Sequence, residues 1–335
     1  MKQIIVYLIL FLLTIIGLGF FRKYAYHKNL LDNPNQRSSH TIPTPRGGGI
    51  VFIGLWLVFL CICALSKAIP LLLFLTFFLS SVVIATISYI DDNYSLKASL
   101  RFLFQMLAAI LALVCIGPVS SLDFGFFTLT IIWLIMPLLF FAMVWSINLF
   151  NFMDGLDGFT TIEALFMLGI GGILIYHQGG QDTAYLIWGL VATLLGFLCW
   201  NWPKAKIFMG DVGSTTLGLI IMITGIVAQK YYQVPFILWL MLYGVFLFDA
   251  TVTLIRRILR KEQLHLAHRN HAYQRLNQAG WSHKQVLFGL FGINTILTFI
   301  VLLANKYPAL TLYFSILELF ILILIYWLIE KRKAM

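Results

Sequence analysis

The stretch 131–158, IIWLIMPLLFFAMVWSINLFNFMDGLDG, joins a long apolar run to a short group of polar residues. The apolar part is long enough to cross the roughly 30 Å hydrocarbon core of a membrane as a helix. Asn148 and Asn151 lie near the end of this run at a spacing that puts them on one helix face, and glycines then loosen the backbone beside Asp154 and Asp157. Asparagines next to lipid are costly unless they face a wet cavity. The stretch therefore predicts a membrane helix that ends at a functional site rather than at a simple Asx-rich turn.

Apolar runs of this kind recur along the whole chain. Hydrophobic residues occupy 61% of the 335 positions and charged residues 11%, whereas a soluble domain has about 25% charged residues. The runs predict about eleven membrane spans, which start near residues 3, 49, 70, 99, 129, 160, 183, 213, 234, 285 and 309. We therefore expect an all-α polytopic membrane protein in which residues 1–335 form a single transmembrane domain.

The basic residues favour one orientation of these spans. If the first span exits into the cytoplasm, the cytoplasmic segments hold 19 of the 23 Lys and Arg residues and the outer segments hold four. The positive-inside rule then places the N-terminus outside and the C-terminus in the cytoplasm. Most carboxylates also fall on the cytoplasmic side. We expect the active face to be formed there by the loops at about 22–48, 91–98, 151–159, 201–212 and 256–284.

The net charge of +10 raises the question of an anionic partner. The basic residues are spread over loops beside the membrane and are not gathered in one folded module. This distribution argues against nucleic acid binding and predicts contact with anionic membrane lipid.

Two further acidic motifs occur at predicted helix ends. Asp91 and Asp92 are adjacent carboxylates beside lipid, and a divalent cation or a proton is the usual relief for their repulsion. Lys97 and Arg101 lie close by in the sequence as cationic partners for phosphate, although a solvated helix end is the alternative interpretation. The segment 208–214, FMGDVGS, offers the Asp211 carboxylate for a metal and a helix N-terminus for phosphate oxygens. An ordinary N-cap remains the alternative there.

Two basic loops are candidate anion sites. Prolines and glycines predict a loop between the first two spans, with Arg37, His40 and Arg46 as anion ligands; a flexible linker is the alternative. The longest cytoplasmic loop carries a second basic cluster, formed by His265, His268, Arg269 and His271. Zinc is disfavoured for this cluster because no cysteine is near and the neighbouring arginines repel a cation. We expect it to bind phosphate instead.

Taken together, the motifs resemble those of the polyprenyl-phosphate N-acetylhexosamine-1-phosphate transferase family, whose members share a bundle of ten or eleven membrane helices. The match runs from about residue 32 to residue 282. The pair Asp91-Asp92 resembles the aspartate pair of the family, and the segment 148–158 resembles its N-x-x-N-x-x-D-G-x-D-G motif. The segment 208–214 resembles its F-M-G-D-x-G-S motif. Three matches in the same order are specific, whereas any one alone would be weak.

The resemblance implies a reaction that depends on Mg²⁺, with Mn²⁺ as the alternative metal. In that reaction undecaprenyl phosphate attacks a UDP-N-acetylhexosamine, or a 6-deoxy relative, and UMP is released at the cytoplasmic face of the bacterial inner membrane. It implies Asp211 and Asp92 as metal ligands and Phe208 as the residue that stacks on uracil. It also implies that Asn148 and Asn151 help to bind the substrates. The expected catalytic carboxylates are Asp91, Asp92, Asp154 and Asp157. A general base stays an open question, because a phosphate at neutral pH is already a nucleophile.

Two departures distinguish branches of this family. The peptidoglycan branch carries an uninterrupted run of histidines and a Gly-Thr-Pro-Thr-Met-Gly-Gly segment, where this chain reads HLAHRNH at 265–271 and PTPRGGG at 43–49. These segments look closer to the branch that initiates O-antigen and related surface polysaccharides, so the peptidoglycan enzyme is the nearest alternative. A transporter or flippase is disfavoured because only Glu318 is deeply placed and no internal repeat is visible. The identity of the sugar and the presence of a homodimer stay open.

Overall fold

Thirteen α-helices make up most of the part of the chain that the computed structural model describes, which comprises residues 2–34, 42–263 and 268–335. The helices are α1 (Lys2–His27), α2 (Gly49–Leu65), α3 (Leu71–Tyr94), α4 (Ala98–Ile116), α5 (Ile132–Met153), α6 (Phe159–His177), α7 (Gln181–Asn201), α8 (Asp211–Tyr232), α9 (Phe236–Leu242), α10 (Gly244–Leu259), α11 (Ala272–Gln278), α12 (His283–Lys306) and α13 (Thr311–Arg332). A short 3-10 helix (Pro308–Leu310) and two short antiparallel hairpins complete the described elements. The hairpins pair β1 (Leu31–Asp32) with β2 (Thr44–Pro45), and β3 (Leu122–Asp123) with β4 (Thr128–Leu129). Arg37, His40 and His265 lie outside the described residues.

The described helices confirm the prediction of an all-α polytopic membrane protein. Nine of them are long and apolar enough to cross a membrane, and α9 and α10 form a further apolar pair that is bent by 74°. The apolar helix α2 is shorter than the others. Each predicted span start lies within three residues of the start of one of these helices. The orientation of the bundle in the membrane stays a prediction.

Helix α8 forms the centre of the bundle. In its apolar window 94% of the residues are buried, against 22% for α13 and 17% for α1. Glycines allow its neighbours to approach closely: a Cβ at Gly218 would clash with the Ser146 carbonyl oxygen, and one at Gly225 would clash with the Trp239 ring. Ser146 also donates from its hydroxyl to the Gly218 carbonyl oxygen at 2.6 Å. Helix α8 is therefore packed closely against α5 and α9.

The bend between α9 and α10 occurs at Tyr243, whose hydroxyl is 2.7 Å from the Ser146 hydroxyl. Residue Gly244 starts α10, and a larger side chain there would clash with the Glu318 carboxylate of α13. The bend turns α10 across the bundle, so that Thr253 and Arg257 line the same cavity as residues of α3, α4 and α5. A polar face of α10 is thereby brought to the functional end of the molecule.

Replacing Gly218 with alanine should destabilise the protein, because its Cβ would force α5 and α8 apart. We expect a loss of about 1 to 3 kcal/mol, as for other overpacked interiors, measured as a lower melting temperature of the detergent-solubilised protein. Gly169→Ala is the matched control, since a Cβ at that helical glycine meets no atom within 4 Å. Equal melting temperatures for the two variants would contradict the close packing of α5 on α8.

Candidate active site

Backbone hydrogen bonds join the loop before α2 to the loop before α8. The Gly48 N–H donates to the Phe208 carbonyl oxygen at 2.9 Å, and the Gly49 N–H donates to the Met209 carbonyl oxygen at 2.8 Å. A Cβ at Gly49 would clash with the backbone of Gly213 at the start of α8. The two glycine-rich segments therefore lie in direct backbone contact, which side chains at these positions would prevent.

Three of the sequence motifs meet at this junction. Asp92, near the end of α3, accepts a hydrogen bond from the Asp211 N–H at 3.2 Å, and the two carboxylates repel each other. The Asn151 side-chain amide, from α5, donates to Asp211 Oδ1 at 2.9 Å. Arg46 lies 3.9 Å from Asp92 Oδ1 and also donates to the Asp92 carbonyl oxygen. Two carboxylates, one amide and one guanidinium thus share one small polar centre.

Asp91 makes different contacts from those of its neighbour. Its Oδ1 accepts from the Leu96 N–H at 2.7 Å, and its Oδ2 accepts from Arg101 Nη1 at 3.0 Å. These bonds fix the turn from α3 into α4 and hold Arg101 against the cavity described below. Lys97 is exposed at the start of α4 and is not among the residues that line this cavity. The cation that the structure brings to the centre from this segment is therefore Arg101.

Asp154 and Asp157 lie in the turn between α5 and α6. Asp157 is buried, accepts from the Ala205 N–H at 3.1 Å, and lies 3.1 Å from His283 Nδ1. It therefore connects this turn to the α7–α8 loop and to the start of α12. Burial raises the pKa of Asp154 to about 7, and the charges of Asp211 and Asp157 act in the same direction. The carboxylates of the centre are thus crowded enough to favour a bound cation.

A cavity of about 710 Å³ opens beside this polar centre. Its polar lining includes Asp91, Arg101, Gln105, Asn148, Asn151, Asp211, Thr253, Arg257, His268 and His271. Its apolar lining includes Ile84, Ile87, Phe102, Trp145, Ala250 and Leu254. Asn148 and Gln105 bond each other through their amides, at 2.8 and 3.3 Å. The cavity therefore combines charged groups that suit an anion with a wall that suits a hydrocarbon chain.

His268 and His271 form one side of the cavity, with ring centroids 5.0 Å apart. His271 Nδ1 lies 3.7 Å from Asp249 Oδ1, and both carboxylate oxygens of Asp249 accept from the Ala272 N–H at 2.9 Å. Burial lowers the pKa of His268 to about 4, and the charge of His271 acts in the same direction, so His268 is neutral near pH 7. Arg269 is not among the lining residues; its carbonyl oxygen accepts from Gln278 at 2.7 Å.

Two residues outside the motifs, Asn201 and Asp249, hold parts of the site together. Asp249 does so through its contacts with His271 and Ala272. Asn201 is buried at the end of α7, where its Oδ1 accepts from the Gly158 N–H at 2.9 Å and its Nδ2 donates to the Ile207 carbonyl oxygen at 3.0 Å. One amide thus connects the turn after α5 to the loop before α8. The signal in the sequence is a single polar side chain at the end of an apolar run, which is too common to identify such a role.

Replacing Asn201 with alanine should leave the Gly158 N–H and the Ile207 carbonyl without this partner. We expect a loss of stability of about 1 to 3 kcal/mol, the usual cost of an unsatisfied buried polar group, seen as a lower melting temperature in detergent. Asn93→Ala serves as the control because Asn93 is exposed and its side chain donates to the Tyr89 carbonyl oxygen of its own helix. A melting temperature of Asn201→Ala equal to that of the control would refute the proposed connection.

Known proteins of one transferase family are similar to this chain in sequence. The sequence model of Glycosyl transferase family 4 matches residues 74–229, which contain all three acidic motifs. The chain is 29% identical over 344 residues to the probable undecaprenyl-phosphate N-acetylglucosaminyl 1-phosphate transferase of Bacillus subtilis (strain 168), covering 99% of this chain and 92% of that relative.

Two other relatives extend the comparison. The decaprenyl-phosphate N-acetylglucosaminephosphotransferase of Mycobacterium tuberculosis (strain CDC 1551 / Oshkosh) is 30% identical over 318 residues, which are 84% of this chain and 77% of the relative. The phospho-N-acetylmuramoyl-pentapeptide-transferase of Listeria monocytogenes serotype 4b (strain CLIP80459) is 26% identical over 315 residues, which are 85% of this chain and 93% of the relative. Because the match spans the motif-bearing core and most of the length of these relatives, this chain belongs to Glycosyl transferase family 4.

Proposed function

We propose that this chain transfers an N-acetylhexosamine 1-phosphate, or a 6-deoxy relative, from a UDP-sugar to undecaprenyl phosphate and releases UMP. The observation that carries the proposal is the contact of Asp92 with Asp211 beside a cavity whose lining changes from charged to apolar. Such a cavity suits a phosphate on a hydrocarbon chain. The names of the relatives support a polyprenyl phosphate as the acceptor and an N-acetylhexosamine phosphate as the transferred group.

We propose Mg²⁺ as the metal of the reaction, with Asp211 and Asp92 as its ligands. Within residues 2–34, 42–263 and 268–335, no three His, Cys, Asp or Glu side chains are grouped as a metal site. This suits Mg²⁺, which is usually held by one or two carboxylates and otherwise by water and substrate phosphates. The oxygen donors of Asp92 and Asp211 fit that preference. When bound, the metal would reduce the repulsion between two phosphate-bearing substrates.

The residues of the cavity and of the polar centre beside it have separable tasks in this reaction. An oxygen of the lipid phosphate forms a bond to the sugar-bearing phosphorus, and the bond from that phosphorus to the bridging oxygen of UMP breaks. Both groups are anionic, so the guanidinium groups of Arg46, Arg101 and Arg257 lower their repulsion and orient them. The apolar wall would receive the first isoprene units. Because the lipid phosphate is already ionised at neutral pH, no carboxylate has to remove a proton from it.

We propose that the reaction takes place at the cytoplasmic face of the bacterial inner membrane, where it would initiate O-antigen or related surface polysaccharide synthesis. The unequal distribution of Lys and Arg supports this orientation, since the polar centre lies at the helix ends that the positive-inside rule places in the cytoplasm. Nucleotide sugars are available on that side. The packing of the loops before α2 and α8 against the end of α3 brings the motifs to one end of the bundle, which supports a reaction at one membrane surface.

The peptidoglycan enzyme is the second candidate, supported by the Listeria relative. The N-acetylglucosamine relatives are more similar, at 29% and 30% identity against 26%. Membranes containing the chain can be incubated with undecaprenyl phosphate and either UDP-N-acetylglucosamine or UDP-N-acetylmuramoyl-pentapeptide. Our proposal predicts UMP release and a lipid product with the first donor. Turnover of UDP-N-acetylmuramoyl-pentapeptide without turnover of UDP-N-acetylglucosamine would favour the second candidate. Membership of a transferase family argues against the transporter alternative.

Exchange of Asp211 for asparagine should abolish UMP release that depends on Mg²⁺, because the amide keeps the shape of the side chain but loses its charge. We expect the rate to fall by roughly 10²-fold or more, as for loss of a principal electrostatic contact to the reacting groups. Asp182→Asn is the control, since Asp182 lies exposed in the first turn of α7. Retained turnover at the same Mg²⁺ concentration would remove Asp211 from the metal site.

Exchange of Phe208 for alanine should weaken nucleotide-sugar binding, because an aromatic stack on a base contributes on the order of 1 to 3 kcal/mol. The measurement is the KM for the UDP-sugar or the affinity for UMP. Phe208→Tyr keeps the ring and should bind normally, whereas Phe208→Leu keeps only the bulk and should behave like the alanine variant. Normal affinity of the leucine variant would exclude stacking as the role of Phe208.

A further inference from the structure

The short helix α11 connects the cavity to the last helix of the chain. It starts directly after His271, which lines the cavity and whose backbone N–H donates to Gln274 Oε1 at 3.3 Å. On its other side α11 packs against α12 and α13. The position of His271 therefore depends on how α11 is held, and α13, which contributes no residue to the cavity lining, is one of its supports.

One carboxylate of α13 binds both ends of the loop that carries the histidines. Glu330 Oε2 lies 2.6 Å from Nη1 of Arg256, near the end of α10, and 2.5 Å from Nη1 of Arg275, in α11. Arg275 also donates to the Lys333 carbonyl oxygen at 3.0 Å. The segment between α10 and α11 is thus anchored before and after His268 by the same oxygen atom.

The surroundings of Glu330 make this connection strong. Arg275 is 1% exposed, and within the described part of the chain Glu330 is its carboxylate partner. The guanidinium groups of Arg275 and Arg256 lie 4.8 and 5.2 Å from the centroid of the Tyr326 ring, one turn before Glu330 in α13. Loss of the Glu330 charge would leave a buried guanidinium without its counterion, which strongly disfavours the present arrangement of α11.

We propose that Glu330 is a positioning residue, which sets the place of His268, His271 and Arg257 in the cavity through its two arginine partners. The interpretation of the cavity as a substrate site rests on the proposed function, whereas the contacts of Glu330 with the two arginines do not depend on it. Arg257 follows Arg256 directly and lines the cavity, while His271 directly precedes α11. A shift of Arg256 therefore moves Arg257, and a shift of Arg275 moves His271.

The first experiment measures hydrogen exchange of the full chain in detergent, with Glu330→Gln as the variant. Residues 256–263 and 268–278 should exchange roughly tenfold faster or more in this variant, as loss of one charge-assisted hydrogen bond implies. Lys331→Gln is the matched control, because Lys331 is the exposed neighbour and lies over the Trp327 ring. Unchanged exchange in Glu330→Gln would overturn the proposal.

The second experiment is a double-mutant cycle on UMP release with Glu330→Gln and His271→Ala. If Glu330 acts through the histidine loop, Glu330→Gln should raise the KM for the UDP-sugar about tenfold in the wild-type background and change it little in the His271→Ala background. Additive effects would overturn the proposal, because independent sites add.

Two further outcomes are decisive. If Glu330→Gln is not recovered folded, Glu330→Asp keeps the charge on a shorter side chain and should show a smaller rise in exchange of the same segment; wild-type exchange in that variant would overturn the proposal. If the wild-type chain releases no UMP from any UDP-sugar, the proposed function fails. The exchange experiment then decides alone whether Glu330 holds the loop.

Discussion

The site depends on the backbone contact between the loop before α2 and the loop before α8. Gly48 and Gly49 bond the carbonyl groups of Phe208 and Met209, and Gly49 packs directly on Gly213. Backbone groups can approach this closely only where side chains are absent, so the glycines of both motifs serve one geometric requirement. Once the loops are joined, Arg46 and Asp211 reach the same end of the bundle as Asp92.

The electrostatics of the centre follow from this convergence. Asp92, Asp154, Asp157 and Asp211 interact through their charges, and the cations that balance them come from different loops. Crowded like charges are unfavourable by themselves, and a cation relieves their repulsion. The crowding of these carboxylates therefore supports the proposal that they bind a metal ion. The buried bonds of Asp157 and Asn201 supply the rigidity that holds the carboxylates together.

Much of the fold was predictable because hydropathy and charge are local properties of a membrane sequence. The starts of the spans and the three acidic motifs follow directly from runs of residues. The bend at Tyr243 does not, since it depends on packing of α10 against α13. The different contacts of Asp91 and Asp92 could not be predicted either. Adjacent residues on a helix point in different directions, and their partners depend on which elements pack on each side. Asn201, Asp249 and Glu330 gain their roles from partners distant in the chain.

The burial of α8 has a consequence for how the protein responds to its surroundings. A change in bilayer thickness or acyl-chain order acts on surfaces that touch lipid, and α1 and α13 provide far more of that surface than α8 does. Asp211, which begins α8, therefore belongs to a helix that offers little surface on which such a change can act.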